Sequence, residues 1–271
     1  MRQDTWLTAH PYLLSVAQFH AQVEKASACL PSALACMPNW SDYKSDYLAG
    51  VPVLRSPGST IDLKPVEIAL EVLLQKLSSA PLPFEIAHNI KDLDVKFRKD
   101  PSFSSHAVTS LFDPSSGASM DWGLLQYLGW TVMAHYLSKV VDAFGKWRDE
   151  ERWLRRYCPT CGSLPAMAQL VGIDPARLRF LSCGCCGTRW QYRRTGCPFC
   201  DNKDDHRLAI LVVEGESELR IDHCESCGGY IKTYNGSGDE SLFLADWTSL
   251  HLDIIARDQG LNRSAVSLFE V

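Results

Sequence analysis

The sequence lacks long hydrophobic runs and familiar catalytic motifs. The charge-free stretch over residues 122–138 is interrupted by Gln126, Thr131 and His135, and it falls short of the roughly 18 apolar residues that a membrane-spanning helix needs. It contains no Gly-rich phosphate loop, no His-Glu-x-x-His and no Gly-x-Ser-x-Gly. The first residues show no targeting pattern. We therefore expect a soluble, cytoplasmic protein that has no membrane span and is not an enzyme.

A strong net charge is also missing. The 271 residues carry a net charge of −5, which argues against a general polyanion binder and makes nucleic acid an unexpected partner. The charge is unevenly distributed, because residues 152–194 carry +7 and residues 197–271 carry −8. Two interpretations are open. The eight arginines of residues 152–194 pair with the acidic neighbour, or they form a docking surface for an acidic partner segment.

Apolar periodicity predicts helices throughout residues 1–151. The predicted helical segments are 13–23, a second starting near a cap at Asp62, 84–97, 106–112 and, most strongly, 121–147. The Pro- and Ser-rich residues 31–62 are expected to be irregular. Cys29 and Cys36 are expected to be buried small hydrophobic residues.

The composition shifts at residue 152. Short β-favouring runs follow, at 178–182, 188–193, 207–213, 217–222 and 230–234, and a final helix is predicted over 246–258. The chain is therefore predicted to be an α+β multidomain protein. An all-α domain (1–151) precedes two tandem rubredoxin-like or zinc-ribbon modules (152–195 and 196–271), the second of which ends in the C-terminal helix.

Nine of the eleven cysteines lie between Cys158 and Cys227, and eight of them form four Cys-x-x-Cys pairs in a repeat of about 40 residues. Two intervening residues let a tight turn direct both sulfurs to one ion, with positive φ expected at Gly162, Gly187 and Gly228. In a reducing cytosol such pairs are metal ligands or redox thiols rather than structural disulfides.

The spacing predicts two Cys₄ sites, because the gaps between knuckles, 162–182 and 201–223, suit β-hairpins. The predicted ligands are Cys158, Cys161, Cys183 and Cys186 in the first site, and Cys197, Cys200, Cys224 and Cys227 in the second. A cross-braced grouping is the alternative. Each site would hold one iron or zinc ion, giving two metal ions per chain, and a closed S₄ site favours a structural role over catalysis. Cys185 is a spare thiol beside a ligand.

The motifs resemble the formate dehydrogenase accessory protein family of the FdhE type. The matching segments are Cys158-Pro-Thr-Cys-Gly-Ser-x-Pro165, Cys183-x-x-Cys186, Cys197-x-x-Cys200, Cys224-x-x-Cys227-x-x-Tyr230-Ile-Lys232, the tail motifs Ala245-Asp246 and Leu252-Asp253, and Gly50-Val51-Pro52 in the helical half. The resemblance implies a cytoplasmic, non-enzymatic protein that binds the catalytic subunit of respiratory formate dehydrogenase during its maturation. It also implies metal, with iron associated with the family, at the cysteine motifs. Ile231 and Trp247 depart from the family pattern without touching a predicted ligand.

Two other functions remain open on the residues alone. A mononuclear iron centre at the cysteines would suit an electron-transfer or redox-sensing protein. An arginine-rich ribbon carrying Trp190 and Tyr192 would suit a nucleic-acid binder. The sequence does not indicate an oligomeric state.

Overall fold

A computed structural model describes residues 3–30, 35–100, 102–112 and 120–269. The first half is helical, as predicted. Its helices are α1 (Gln3–Ala9), α2 (Leu14–Ser27), α3 (Trp40–Ala49), α4 (Lys64–Ser78), α5 (Phe84–Lys99), α6 (Phe103–Ser110), α7 (Met120–Trp147) and the short α8 (Glu150–Trp153). None of the helices within these described ranges is long and apolar enough to cross a membrane.

Helices α4 and α7 form the centre of this bundle. The N-cap position of α4 is Leu63 and not the predicted Asp62. The Asp62 side chain, one residue earlier, accepts a hydrogen bond from the backbone N–H of Lys64 at 2.9 Å and so satisfies a donor at the start of the helix. The inward faces of the two helices bury apolar side chains at helical spacing. These include Leu70, Leu73, Leu74 and Leu77 on α4, and Leu128, Val132, Val140 and Phe144 on α7.

The prediction that residues 31–62 are irregular is wrong for α3. Asn39 caps this helix by accepting from the N–H of Ser41 at 3.1 Å, and Gly50 ends it in the left-handed conformation. Tyr43 and Tyr47 face the core one helical turn apart and are buried. Aromatic residues rather than an aliphatic stripe anchor α3, so the apolar periodicity was weak there.

The prediction that Cys29 and Cys36 are buried is also wrong. Both side chains are exposed. Cys29 follows the end of α2, and Cys36 precedes α3. The adjacent Leu30 and Ala35 are buried in the core instead, so these two segments contact the core through those residues and leave the cysteines facing solvent.

Six strands in the second half form one continuous sheet, in the order β3-β2-β1-β6-β5-β4. The strands are β1 (Met167–Val171), β2 (Leu178–Ser182), β3 (Arg189–Tyr192), β4 (Leu208–Leu211), β5 (Leu219–Cys224) and β6 (Tyr230–Tyr234). Five of them fall within the predicted runs or overlap them. The sequence analysis missed β1, a five-residue strand that lies at the middle of the sheet. The α+β fold class is confirmed.

Strand β1 joins the two cysteine-containing repeats. It pairs antiparallel with β2 of its own repeat and parallel with β6 of the other, where Met167 lies opposite Lys232. The repeats therefore share one sheet. The domain boundaries at 151/152 and 195/196 remain predictions.

The outer edge of β3 is covered by the segment around α8. Glu150 accepts a hydrogen bond from the backbone N–H of Gln191 at 3.0 Å, and Arg148 donates to the carbonyl of Arg189. Side chains therefore occupy backbone groups of β3 that a further strand would otherwise use.

The chain after β6 folds back over the sheet as α9 (Glu240–Phe243), a 3₁₀ turn (Asp246–Ser249) and α10 (Leu250–Asp258). The predicted C-terminal helix is therefore present, with its first turn tightened to a 3₁₀ helix. Leu252 and Ala256 on α10 are fully buried, which packs this helix onto the second half of the chain.

Candidate metal centres

The four Cys-x-x-Cys motifs fold into the same tight turn. In each, the residue after the second cysteine donates its backbone N–H to the carbonyl of the first cysteine, with N···O distances of 2.8–3.2 Å. That residue has positive φ in every case, namely Gly162 (86°), Gly187 (73°), Asp201 (59°) and Gly228 (69°). The three glycines adopt the conformation that the sequence predicts. Aspartate tolerates it better than most other residues, so the third turn keeps the same shape without glycine.

These turns bring the first four predicted ligands together. The sulfurs of Cys158 and Cys186 are 3.5 Å apart, as are those of Cys161 and Cys183, and all four ligand atoms lie within 4.8 Å of one another. Zn–S bonds of about 2.3 Å in a tetrahedron would place the sulfurs about 3.8 Å apart. The grouping is the sequential one and not the cross-braced alternative.

The second four predicted ligands form a similar cluster. Sulfur–sulfur distances are 3.7 Å between Cys197 and Cys227 and 3.8 Å between Cys200 and Cys224. These values match the edge of a thiolate tetrahedron around one ion and are far longer than a disulfide bond. The chain therefore contains two Cys₄ groups that fit a tetrahedral metal ion, either zinc or iron.

The thiols within each cluster differ in acidity. Burial raises the pKa of the Cys158 thiol, but hydrogen bonds from the other three sulfurs outweigh it and hold that pKa well below its usual value. Burial and the hydrogen bond to Cys158 raise the pKa of Cys161 instead. In the second cluster, backbone N–H donors outweigh burial and lower the pKa of Cys224 to about 7, while burial raises that of Cys197. A divalent cation bound in either cluster would stabilise the ionised form of its four thiols.

The first cluster is enclosed by the helical half of the chain. The backbone N–H groups of Val53 and Leu54 donate to the carbonyls of Pro159 and Thr160 at 3.0 and 2.9 Å. The hydroxyl of Tyr157 donates to the carbonyl of Gly50 at 2.8 Å. The segment formed by residues 50–54 therefore covers the first knuckle. All four sulfur-bearing residues of this cluster are buried.

The second cluster is open to solvent on one side. Cys200 and Cys227 are exposed, while Cys197 and Cys224 are buried. The side chain of Asn202 lies 3.8 Å from the sulfur of Cys224, and the backbone N–H of Gly229 donates to the sulfur of Cys227 at 3.4 Å. The two clusters share a geometry but differ in their access to water, chelators and oxidants.

The arginines of residues 152–194 are largely engaged within the chain. Arg177 and Arg194 each contact Asp174 at 3.3 Å. Three others reach across to the acidic second repeat, namely Arg156 to the carbonyl of Phe199, Arg179 to Asp222 at 4.0 Å and Arg193 to Asp201 at 3.2 Å. These contacts favour mutual pairing of the two oppositely charged repeats over a broad basic docking surface.

The two aromatic residues that suggested nucleic-acid binding are not accessible. Trp190 and Tyr192 are buried, and the indole N–H of Trp190 donates to the carbonyl of Arg155 at 2.9 Å. Base stacking needs an exposed ring face. This pair therefore cannot serve as a stacking platform.

The remaining motif residues form a buried ion-pair network behind the second cluster. Lys232 is 1% exposed, and its ammonium group lies 2.8 Å from Asp246 and 2.7 Å from Asp253. Arg263 contacts the same two carboxylates at 2.7 and 2.6 Å, and the hydroxyl of Tyr230 donates to Asp253 at 2.7 Å. These contacts fix the chain after β6 to the strand that follows the last knuckle. Tyr230, Lys232, Asp246 and Asp253 lie in the motifs that resemble the FdhE type, but their spacing in the sequence does not predict this network.

A family model described as "FdhE, central domain" matches residues 157–194, the segment that carries the whole first cluster. This segment of the chain is similar to the central domain of FdhE proteins.

Curated relatives extend the similarity beyond the central domain. The chain is 36% identical over 115 residues to the FdhE homologue of Aquifex aeolicus, which is 41% of each protein. It is 31% identical over 144 residues to FdhE of Salmonella paratyphi A, which is 52% of this chain and 46% of that protein. The matched stretches thus span less than half the length of these relatives.

The fold also matches a solved FdhE structure. The crystal structure of FdhE from Pseudomonas aeruginosa superposes with a TM-score of 0.64 and 22% sequence identity, and it covers 95% of this chain and 88% of that one. At this identity the match establishes the shared fold. It includes the helical half, which the family model does not cover.

Proposed function

We propose that this protein is a cytoplasmic accessory factor, not an enzyme, that assists the maturation of formate dehydrogenase by binding its catalytic subunit. Similarity to FdhE proteins in sequence and fold carries the proposal. The two clusters support it, because four thiolates around one ion leave no position for a substrate. Iron or zinc held by the eight cysteines would join each pair of knuckles and stabilise the fold.

We place the contact with the catalytic subunit at the outer edge of β4. Strands β1 and β4 each follow the first knuckle of their repeat, and β1 pairs in parallel with β6. The equivalent side of β4 has no strand neighbour among the residues that the structure describes. An extended segment of the catalytic subunit would add there as a parallel strand, as β6 does beside β1.

The surroundings of β4 suit such a segment. Ile210 and Val212 are 53% and 72% exposed, which gives an incoming strand apolar side chains to cover. A cavity of about 450 Å³ lies beside them and is lined in part by Arg179, Arg220 and Asp222. Main-chain pairing would supply affinity, and the cavity would select the side chains of the segment.

Deletion and complementation test the function. We expect loss of formate dehydrogenase activity on deletion of the gene, and its recovery when the wild-type chain is supplied. Normal formate dehydrogenase activity in the deletion strain would refute the proposal.

Affinity purification of the catalytic subunit with tagged variants tests the docking edge. We expect Ile210→Asp to reduce recovery of the catalytic subunit at least tenfold. Ile68→Asp is the matched control, because Ile68 is exposed to the same extent, 51%, but lies on α4. Equal recovery with both variants would remove β4 as the docking site while leaving the accessory role to the deletion test.

A further inference from the structure

Two histidines and a glutamate from distant parts of the chain meet outside the cysteine clusters. His10 follows α1, Glu216 lies between β4 and β5, and His251 lies in α10. The Nε2 atoms of both histidines are 2.8 Å from the same oxygen, Oε1 of Glu216. The side chains of His10, Glu216 and His251 are 13%, 7% and 14% exposed. Two imidazoles thus converge on one nearly buried carboxylate.

The contacts of the His10 ring show that a proton or a metal ion must lie between its Nε2 and Glu216. Its Nδ1 lies 3.0 Å from the carbonyl oxygen of Trp6, and its Nε2 faces Glu216, so both ring nitrogens face acceptors. A neutral imidazole carries only one N–H. With that proton on Nδ1, Nε2 is left as a lone pair directed at a carboxylate, which requires a second proton or a metal ion between them.

The contact with Trp6 is the one that metal-binding histidines usually make. Such residues donate the N–H of the ring nitrogen that does not bind the metal to a carbonyl or carboxylate, which fixes the tautomer and directs the other nitrogen at the metal. The Nδ1 of His251 has no hydrogen-bond partner among the described residues. The Nε2 of His251 faces only Glu216, so a metal ion between these two atoms would replace the shared proton, and the remaining ring proton would lie on Nδ1.

The geometry points to a third metal site, with His10, Glu216 and His251 as ligands of a divalent transition metal ion. We infer that this ion is zinc, because two imidazoles and one carboxylate form a well-known zinc ligand set. Bonds of about 2.0–2.2 Å in a tetrahedron separate ligand atoms by about 3.3–3.6 Å. The observed 2.8 Å needs to open by about 0.5–0.8 Å, and the partly exposed histidines leave room for water as a fourth ligand.

The proposed ion would fasten the start of the chain to its second half. Trp6 stacks on His10 with ring centroids 3.9 Å apart and donates its indole N–H to the carbonyl of Thr248 at 3.0 Å. Helix α1 thus already lies against the segment that carries His251. One ion would join three elements with nitrogen and oxygen ligands alone, independently of the eight cysteine ligands.

Metal content measured after dialysis tests the inference. The full-length chain is dialysed against Zn²⁺ at a low free concentration and analysed for zinc per chain. We expect three ions in the wild type and two in Glu216→Gln and in His251→Ala. Glu216→Gln preserves the size of the side chain, and circular dichroism of each variant reports whether it is folded.

His206→Ala is the matched control. His206 lies with Asp204 and Asp205 in an exposed cluster that also offers three candidate ligands, and we expect this variant to keep three ions. Two ions in the wild type would overturn the inference, and so would a third ion that is lost in His206→Ala but kept in Glu216→Gln. None of these results alters the cysteine clusters, so the proposed function is tested separately.

Cobalt gives a second readout. Co²⁺ added to protein whose cysteine clusters hold zinc should produce visible bands without the intense charge-transfer absorption of a thiolate ligand. We expect this spectrum to be absent in Glu216→Gln and unchanged in His206→Ala. Thiolate charge transfer in the wild type would show that the added ion had entered a cysteine cluster instead.

Discussion

Replacing Lys232 with methionine tests the buried network that fixes the C-terminal segment to β6. The ammonium group of Lys232 contacts Asp246 and Asp253 and also donates to the carbonyls of Asp246 and Ser249, at 3.0 and 3.2 Å. Methionine is similar in length but carries no charge. The variant would leave two buried carboxylates facing one cation, Arg263, and two carbonyls without their donor.

The expected loss of stability follows from this unpaired buried charge. Removing one partner of a buried ion pair destabilises a protein by about 3–5 kcal/mol, because the remaining charge stays desolvated and unpaired. Urea unfolding of the metal-loaded protein measures it. With a denaturant slope of about 3 kcal/mol per molar, the midpoint should fall by about 1–2 M.

A matched variant and a second substitution make this result specific. Lys64 also contacts a carboxylate, that of Glu67 at 2.6 Å, but it is exposed to solvent, so Lys64→Met should leave the midpoint unchanged. Adding Asp253→Leu to Lys232→Met rebalances the charges around Asp246 and Arg263 and should recover part of the loss. A Lys232→Met protein within about 1 kcal/mol of the wild type would refute the reasoning on buried charge.

Three further predictions concern the clusters and the pH dependence. Because Cys200 and Cys227 are exposed, a chelator should remove the ion of the second cluster first. Mass spectrometry after treatment with an alkylating reagent should then find these cysteines modified before those of the first cluster, and simultaneous alkylation would contradict this. Cys185→Ala should keep both cluster ions while Cys186→Ala loses one, as counted by metal analysis; the reverse result would exchange their assignments. Burial raises the pKa of Asp246, but the charges of Lys232 and Arg263 outweigh burial and hold that pKa below its ordinary 3.8. This carboxylate therefore stabilises the fold above pH 3.8, and its contribution is lost as the pH falls toward the folded-state pKa. Asp246→Asn should therefore flatten the fall in urea midpoint between pH 5 and pH 3, and an unchanged slope would argue against this assignment.

The sequence predicted the knuckles well because their causes are local. Two residues between cysteines and a glycine after the second determine a turn of five residues, so the cysteine grouping and the positive φ of Gly162 could be anticipated. Asp201 shows that the same turn forms without glycine. The strongly periodic α4 and α7 were predicted for the same reason, since each helix carries its own pattern of buried leucines and valines.

Features that depend on distant partners were not predictable in this way. Strand β1 pairs with the nearby β2 and also with β6, which lies more than 60 residues later in the chain, and no local signal in the sequence indicates the parallel partner. Helix α3 depends on aromatic packing against α7 and α8, where Tyr47 stacks on Trp153 at a centroid distance of 5.4 Å. The meeting of His10 with His251 likewise has no signature in the spacing of either residue.

The strand order has a consequence for assembly. Across the sheet, the third, second and first strands of one repeat are followed by the third, second and first strands of the other. The two repeats are therefore related by a translation along the sheet and not by a two-fold rotation. An interface of this head-to-tail kind does not terminate itself, and chains that added edge to edge would grow into a fibre. Arg148 and Glu150 occupy one end of the array, at β3, and so prevent that growth. Polymerisation is blocked at one end, while β4 stays available to a strand from another protein.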